Sequence, residues 1–244
     1  MNLLLLHPED LGPDGTAHLT GRRAQHAQEV LRLTAGNPLR VGLRDGLTGT
    51  GRVLSLGSEG LTLQVTLTEP PPPRAGIDLL LAIPRPKALK KVLPAVASLG
   101  VDRVVLVNAA RVEKSYFTSH VLAAEALEEL LEQGLEQARD TRAPTLLVRE
   151  RFRPFVEDEL DGLFGSDAQR LLPHPPALQP LATLAVTRQR AVLAIGPEGG
   201  WVPFEVALLE AHGFLPVSLG PRILRVETAV PLLVGQVACL RQRT

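Results

Sequence analysis

The hydrophobic positions follow a short alternating rhythm up to the run Pro70-Pro71-Pro72-Pro73. Alternation of this kind, broken by Gly and Asp-Gly turns, is typical of β-hairpins, and it predicts strands within Leu39–Leu43, Gly51–Leu56 and Leu61–Leu67. One helix is expected after Thr20, a residue that caps helix N-termini. Four prolines form a stiff spacer that neither a helix nor a central strand accommodates. Residues 1–70 are therefore predicted to form a small β-barrel.

After the prolines, apolar runs alternate with helical patterns. Strands are predicted at Ile77–Ile83, Val104–Val107, Leu146–Arg149, Ala191–Ile195 and Val217–Leu219. Helices are predicted at Lys87–Leu99, His120–Ala138, Glu205–His212 and Glu227–Leu240. Pro94 should kink the first helix or mark its first turn, and Pro231 is tolerable only near the first turn of the last helix. This alternation predicts an α/β domain with a mainly parallel sheet over residues 74–244.

Composition narrows the class of protein. With 45% hydrophobic and 21% charged residues, the chain suits a folded globular protein. The single cysteine, Cys239, excludes a disulfide framework or a cysteine metal cluster within one chain, and we expect a buried thiol. The histidines show no ligand spacing, so we predict no metal. Because Met1–Leu6 is short for a signal peptide and no long apolar span occurs, we expect a cytoplasmic protein that does not enter a membrane.

Charge does not by itself indicate a nucleic-acid binder. The chain has 26 basic and 26 acidic residues, so any surface for nucleic acid has to be a local patch. Through Pro73 there are six arginines, no lysine and seven acidic residues, a balance of 6 − 7 = −1. If this region contacts RNA, it must do so through shape and a few positioned arginines.

Two glycine- and proline-containing loops follow predicted strands near the C-terminus. Ala191–Ile195 leads into Gly196-Pro197-Glu198-Gly199-Gly200, and Val217–Leu219 leads into Gly220-Pro221-Arg222-Ile223-Leu224. In open α/β sheets, ligands bind beyond the carboxyl ends of the strands, where glycines let the backbone approach a ligand closely. Neither loop matches a dinucleotide or phosphate-loop motif. Two interpretations stay open: a backbone-lined cleft for a planar adenine, or a pair of tight turns that bind nothing.

Both loops resemble the paired signatures of the RsmE family. Residues 195–201 with Glu205, and residues 219–229, carry the resemblance, and further similar segments occur at 24–33, 78–83, 99–104 and 136–144. RsmE proteins are SPOUT-class enzymes that transfer a methyl group from S-adenosylmethionine to N3 of a uridine in 16S ribosomal RNA. Three positions depart from the family pattern: Gln25 replaces a histidine, Asp140 an arginine and Ser98 a common glutamate.

The resemblance implies a knotted SPOUT-type C-terminal domain, a PUA-like N-terminal barrel that binds RNA, and a homodimer. It implies S-adenosylmethionine as the cofactor and 16S ribosomal RNA or the small ribosomal subunit as the partner. The cofactor would contact Leu172, Ile195, Gly196, Pro197, Gly199, Gly200, Leu219, Gly220, Ile223 and Leu224. The expected RNA contacts are Arg22, Arg23, His26 and Arg32.

Methylation of uridine N3 requires alignment and a deprotonated nucleophile. Arg222 and Arg225 are candidates to stabilise the uridine anion, although either could instead contact phosphate or form a salt bridge. Glu198 or Glu227 could accept the proton, and Glu198 could equally fix the loop by binding backbone amides. Two other functions stay open: a SPOUT methyltransferase with another RNA target, and a non-catalytic RNA-binding assembly factor.

Overall fold

A computed structural model describes most of the chain, namely residues 2–21, 23–25, 27, 34–186 and 189–241. The chain divides into two compact units. Unit 1 consists of Met1–Pro73 and Leu131–Ala143, and unit 2 consists of Arg74–Leu130 and Pro144–Thr244.

Unit 1 contains a five-stranded sheet. In spatial order the strands are β1 (Leu4–Leu6), β3 (Pro38–Leu43), β4 (Thr48–Gly57), β5 (Gly60–Glu69) and β2 (Thr16–Leu19). All pairs are antiparallel except β1 with β3. The three predicted strands are present, whereas β1 and β2 went unpredicted because runs of three and four residues show no periodicity. Helical residues follow Thr20 where a helix was expected.

Unit 2 is built on a six-stranded sheet in which every neighbouring pair is parallel. Its spatial order is β11 (Leu215–Val217), β9 (Gln169–Pro173), β10 (Ala191–Ile195), β6 (Ile77–Ala82), β7 (Arg103–Val107) and β8 (Thr145–Arg149). The expected α/β fold with a mainly parallel sheet is thus confirmed. Both β6 and β10 are buried along their whole length, as their unbroken apolar sequences indicate.

Among the described residues, unit 2 contains the helices α1 (Pro86–Ser98), α3 (Pro203–Ala211) and α4 (Val226–Arg241). Helix α2 (Ala124–Ala138) begins in unit 2 and ends in unit 1. Pro86 and Pro203 stand in the first turns of α1 and α3, where a missing amide costs nothing. Helix α1 packs its apolar face against α4. None of the described helices has the length and apolar character needed to cross a bilayer.

Several sequence predictions were wrong in detail. Pro94 lies in the interior of α1, so the first-turn alternative is wrong and the kink stays a prediction. The last strand ends at Val217, so residues 218 and 219 already belong to the loop that follows. Cys239 is exposed, because it lies on the face of α4 opposite the buried Val234 and Val237. A helical stretch over residues 152–164 and strand β9 were missed; polar Gln169 and Arg170 interrupt the apolar run that would have indicated the strand.

The amino end of the sheet is held by a buried ion pair. Asp78, at the start of β6, is fully buried, and Nη2 of Arg190 lies 2.7 and 2.6 Å from its two carboxylate oxygens. Asp102 accepts the amide of Ile77 at 3.1 Å. Burial raises the pKa of Asp78, and the Arg190 guanidinium opposes that shift. These contacts lie at the end of the sheet opposite the two Gly/Pro loops and are structural in character.

Candidate active site

The two Gly/Pro loops line one cavity of about 240 Å³ at the carboxyl ends of the strands. Of the thirteen residues expected to bind the cofactor or to act in catalysis, eleven line it: Ile195, Gly196, Pro197, Glu198, Gly199, Gly200, Leu219, Gly220, Arg222, Ile223 and Leu224. Leu172 and Arg225 are not among the lining residues. Leu172 is fully buried in β9, and the cavity begins at the next residue, Pro173.

The glycines of these loops shape the cavity through the backbone. Gly200 has φ +72° and Gly220 has φ +106°, values that favour glycine. A Cβ on Gly196 would lie 3.0 Å from the backbone nitrogen of Trp201, so the turn closes too tightly for a side chain. The amide of Gly200 donates to the carbonyl of Pro197 at 2.7 Å. The loop is therefore a compact turn in which three glycines, Gly196, Gly199 and Gly200, line the cavity.

Glu198 fixes the first loop to the start of α1. Its Oε1 accepts the backbone amide of Arg85 at 3.0 Å, and Arg85 is the residue that precedes the first turn of α1. A carboxylate at that position also interacts favourably with the helix dipole. The contact matches the alternative role considered for Glu198, a hydrogen bond to a backbone amide that holds the loop.

Two further residues, which sequence analysis did not assign to the site, hold the same loop. The guanidinium of Arg111 donates to the carbonyl of Gly199, and its stem packs on that glycine. Glu205, which is buried, accepts the amide of Ala110 at 2.7 Å and the amide of Val202 at 2.9 Å. The segment after β7 is thereby fixed to the loop after β10. Partners 88 and 95 residues apart in sequence leave no local pattern that would predict these contacts.

Trp201 forms one wall of the cavity. Its indole nitrogen approaches the carbonyl of Ala194 at 3.5 Å, and its ring meets that of Phe152 at a centroid distance of 5.3 Å. Only 4% of Trp201 is exposed. The aromatic wall is therefore rigidly placed against the end of β10.

His174 also lines the cavity, beside Pro173 and Pro175. Burial lowers the pKa of His174, and a weaker attraction to Glu210 acts in the opposite direction. The imidazole is consequently neutral at pH 7. A neutral ring at this position suits a ligand that carries a positive charge, because a cationic ring would repel it.

The remaining predicted residues are distributed as follows. Glu227 lies in the first turn of α4, where its carboxylate is 3.8 Å from Nζ of Lys91. Arg23 forms an ion pair with Asp10 in unit 1. The other expected RNA contacts, Arg22, His26 and Arg32, lie outside the described residues.

Asp140, one of the departures from the family pattern, has a structural role. It is buried and accepts the amides of Thr141 and Arg142 at 2.7 and 3.1 Å. The side chain therefore stabilises the turn that follows α2. Among the described residues, no group of three or more His, Cys, Asp or Glu side chains is arranged to hold a metal ion.

The cavity lies at the carboxyl edge of a parallel α/β sheet, which is where proteins of the α/β class bind their ligands. Comparison with known proteins identifies the family. The RNA methyltransferase domain family matches residues 71–238. A ribosomal RNA small subunit methyltransferase E from Treponema pallidum is 34% identical over 234 residues, covering 94% of this chain and 87% of the relative. The protein of that name from Synechocystis is 27% identical and covers 97% and 77%, respectively.

Solved structures show the same fold. A methyltransferase from Legionella pneumophila, in complex with the cofactor SAM, superposes with a TM-score of 0.80 at 24% identity, covering 98% of both chains. The ribosomal RNA small subunit methyltransferase E of Neisseria gonorrhoeae, bound to S-adenosyl methionine, gives a TM-score of 0.80 at 23% identity over 98% of both chains. The chain belongs to the ribosomal RNA small subunit methyltransferase E family, whose members are RNA methyltransferases.

Proposed function

We propose that this protein transfers a methyl group from S-adenosylmethionine to N3 of a uridine in 16S ribosomal RNA of the small subunit. The proposal rests on one observation: residues of both signature loops line the same cavity. Its support is membership of a family whose named relatives act on small-subunit ribosomal RNA. Two proteins of the same fold contain S-adenosylmethionine in their structures.

The cavity has the chemistry that this cofactor requires. Glycine backbone in both loops offers amide and carbonyl groups to an adenine ring, and Leu219 and Leu224 offer apolar contact to its faces. The neutral ring of His174 avoids repulsion of a sulfonium. When bound, S-adenosylmethionine supplies the methyl group as an electrophile attached to a positively charged sulfur.

The arginines of the second loop are proposed to favour the uridine anion. Arg222 lines the cavity, and Arg225 follows three residues later at the start of α4. A guanidinium beside the O2 or O4 carbonyl of uracil stabilises the charge that develops when N3 loses its proton. For that proton we propose Oε2 of Glu198 as the acceptor, with Oε1 holding the loop, or alternatively the carboxylate of Glu227.

Three further features are proposed: a homodimer, a trefoil knot and a cytoplasmic location. We infer a homodimer because two apolar side chains near the cavity are exposed. Ile223 in the second loop is 85% exposed, and Leu232 is 48% exposed on α4, a helix that also lines the cavity. Light scattering on the purified protein tests the homodimer. We also infer a trefoil knot in the C-terminal part of unit 2 and action in the cytoplasm, where ribosomal subunits are assembled. Tracing the chain in a crystal structure tests the knot.

Unit 1 is proposed to be a PUA-like barrel that helps to bind RNA, with its domain over residues 1–70 and the methyltransferase domain over 74–244. Support comes from the five-stranded sheet and its buried apolar cluster. The proposed contacts are Arg22, Arg23, His26 and Arg32. Removal of residues 1–70 should then weaken RNA binding and leave cofactor binding in place.

Incubation of the purified protein with unmodified small-subunit ribosomal RNA and S-adenosylmethionine, followed by nucleoside mass spectrometry, tests the central proposal. We expect 3-methyluridine. A methyl group on a ribose oxygen or a purine would instead indicate a SPOUT enzyme with another target. RNA binding without any methylation would indicate an assembly factor.

A further inference from the structure

All lysines of this chain lie between residues 87 and 114. The chain has 22 arginines but only four lysines, Lys87, Lys90, Lys91 and Lys114, all of which are exposed. The first three occupy one face of α1, at positions i, i+3 and i+4. Lys114 begins a short turn in the segment after β7. Because β6 and β7 are parallel neighbours, α1 and this segment leave the sheet at the edge that carries the cavity.

Direct contacts join α1, and the residue that precedes it, to the two signature loops. The backbone amide of Arg85 donates to Oε1 of Glu198 in the first loop at 3.0 Å. Lys91 lies 3.8 Å from Glu227, which follows the second loop. Arg85 and Lys91 therefore contact Glu198, which lines the cavity, and Glu227, which follows the second loop.

The local charge is strongly positive although the whole chain is neutral. Six cations lie between residues 85 and 114 at this edge: Arg85, Lys87, Lys90, Lys91, Arg111 and Lys114. The carboxylates that face them are Glu113 within the segment, Glu198 of the first loop and Glu227 of α4. Among the described residues, the ion pairs leave Lys87, Lys90 and Lys114 without a carboxylate partner.

Helix stability does not account for Lys87, which lies in the first turn of α1. Cations in the first turn of a helix are unfavourable because the partial positive charge of the helix dipole repels them. Helices α2, α3 and α4 follow the favourable pattern, with Glu125, Glu205 and Glu227 in their first turns, whereas α1 has no acidic residue there. A local conflict of this kind is expected where a surface serves binding.

We propose that Lys87, Lys90 and Lys114, here called the lysine surface, bind the phosphate backbone of the substrate RNA beside the nucleotide that enters the cavity. The proposal rests on the proposed function and adds to it where the RNA backbone is held. Lysine suits this task as a mobile point charge that accepts phosphates in varied geometry, and such contacts position RNA without reading its sequence. Unit 1, whose segment through Pro73 has a balance of −1, does not offer an equivalent field.

The test compares two charge-matched double variants of the full chain. Lys87→Gln/Lys90→Gln removes two charges from the lysine surface, and Arg40→Gln/Arg52→Gln removes two exposed charges from strands β3 and β4 of unit 1. Affinity for an unmodified fragment of small-subunit ribosomal RNA is measured between roughly 50 and 200 mM salt. We expect the lysine variant to bind about tenfold more weakly and its log–log salt slope to fall by about two, because each phosphate contact contributes roughly 0.9.

The control variant Arg40→Gln/Arg52→Gln should keep its RNA affinity. Lys87→Arg/Lys90→Arg should bind RNA like the wild type, because it keeps both positive charges. Lys114→Gln, added to the lysine pair, should lower the slope further. Unchanged RNA affinity in the lysine variant, or an equal loss in the control variant, would overturn the proposal. Affinity for S-adenosylmethionine, expected to be unchanged, excludes misfolding. If the wild type fails to form 3-methyluridine while the lysine effect persists, the proposed function fails and the lysine surface stands.

Discussion

The carboxylate of Glu205, on α3, accepts the backbone amide of Ala110 at 2.7 Å and so joins the segment after β7 to the loop after β10. Its second oxygen accepts the amide of Val202 at 2.9 Å. One buried side chain therefore satisfies two main-chain donors that flank the cavity. Preorganised loops bind ligands more tightly because the entropy of ordering is lost during folding and not during binding.

Replacement of Glu205 by alanine should weaken both the fold and cofactor binding. Two buried amides would lose their acceptor, which costs about 1–3 kcal/mol per unpaired group. We expect the free energy of unfolding in urea to fall by about 2 kcal/mol and the Kd for S-adenosylmethionine to rise. Glu205→Gln keeps one acceptor oxygen, so its free energy of unfolding and its Kd should lie between those of the wild type and Glu205→Ala. Wild-type stability and affinity in Glu205→Ala would contradict this role.

Arg111 should affect cofactor affinity with little effect on stability. Its guanidinium holds the carbonyl of Gly199 from an exposed position, so its loss loosens the loop and exposes little new surface. Arg111→Ala should raise the Kd for S-adenosylmethionine about fivefold, the equivalent of one hydrogen bond from a charged donor of about 1 kcal/mol. Arg111→Lys, which keeps one donor and the charge, should recover part of the affinity. A Kd equal to that of the wild type in Arg111→Ala would remove the residue from the site.

Cofactor affinity should fall in acid because of His174. Burial holds its pKa below 6.5, so the ring is neutral at pH 7 and gains a proton only as the pH falls below that value. The resulting cation would repel the sulfonium, and the Kd for S-adenosylmethionine should therefore rise progressively below pH 6.5. Calorimetry across this range measures the effect. His174→Asn should bind with a flatter pH profile; an unaltered profile in that variant would assign the dependence to another group.

The ion pair between Asp78 and Arg190 should matter for stability and not for the site. Removal of one partner of a buried pair leaves an uncompensated charge, and a cost of about 2 kcal/mol is expected here because Arg190 remains partly exposed. Urea unfolding of Asp78→Ala should show this loss, whereas its Kd for S-adenosylmethionine should be unchanged at temperatures where it is folded. A changed Kd with unchanged stability would contradict the assignment.

The sequence alone predicted those strands and loops whose hydrophobic pattern or turn residues are visible locally. The continuous apolar runs at β6 and β10 predicted that both strands are buried, and the loops after β10 and β11, predicted to form one site, line the same cavity. Short β1 and β2 and the polar-containing β9 were missed because they show no periodicity.

Long-range contacts were not predictable in the same way. Arg111 and Glu205 act on residues 88 and 95 positions away, and nothing near either residue indicates its partner. His174, which lines the cavity, follows strand β9, a strand that hydrophobic patterning did not predict. Contacts of this kind depend on how parallel strands order themselves in the sheet, which hydrophobic patterning does not specify.

The central claim is that the turn from Ile195 to Trp201 and the second loop together form the cofactor site. Gly196→Val tests it more sharply than a change at Gly199, because a side chain at 196 would meet the backbone of Trp201, whereas one at 199 would meet the flexible stem of Arg111. Overpacking of about 1–3 kcal/mol corresponds to a loss of affinity between about fivefold and about 150-fold. Calorimetric titration should therefore show S-adenosylmethionine binding to the wild type and a Kd at least about fivefold higher for Gly196→Val. No binding by the wild type, or equal affinity in the two proteins, would contradict the account.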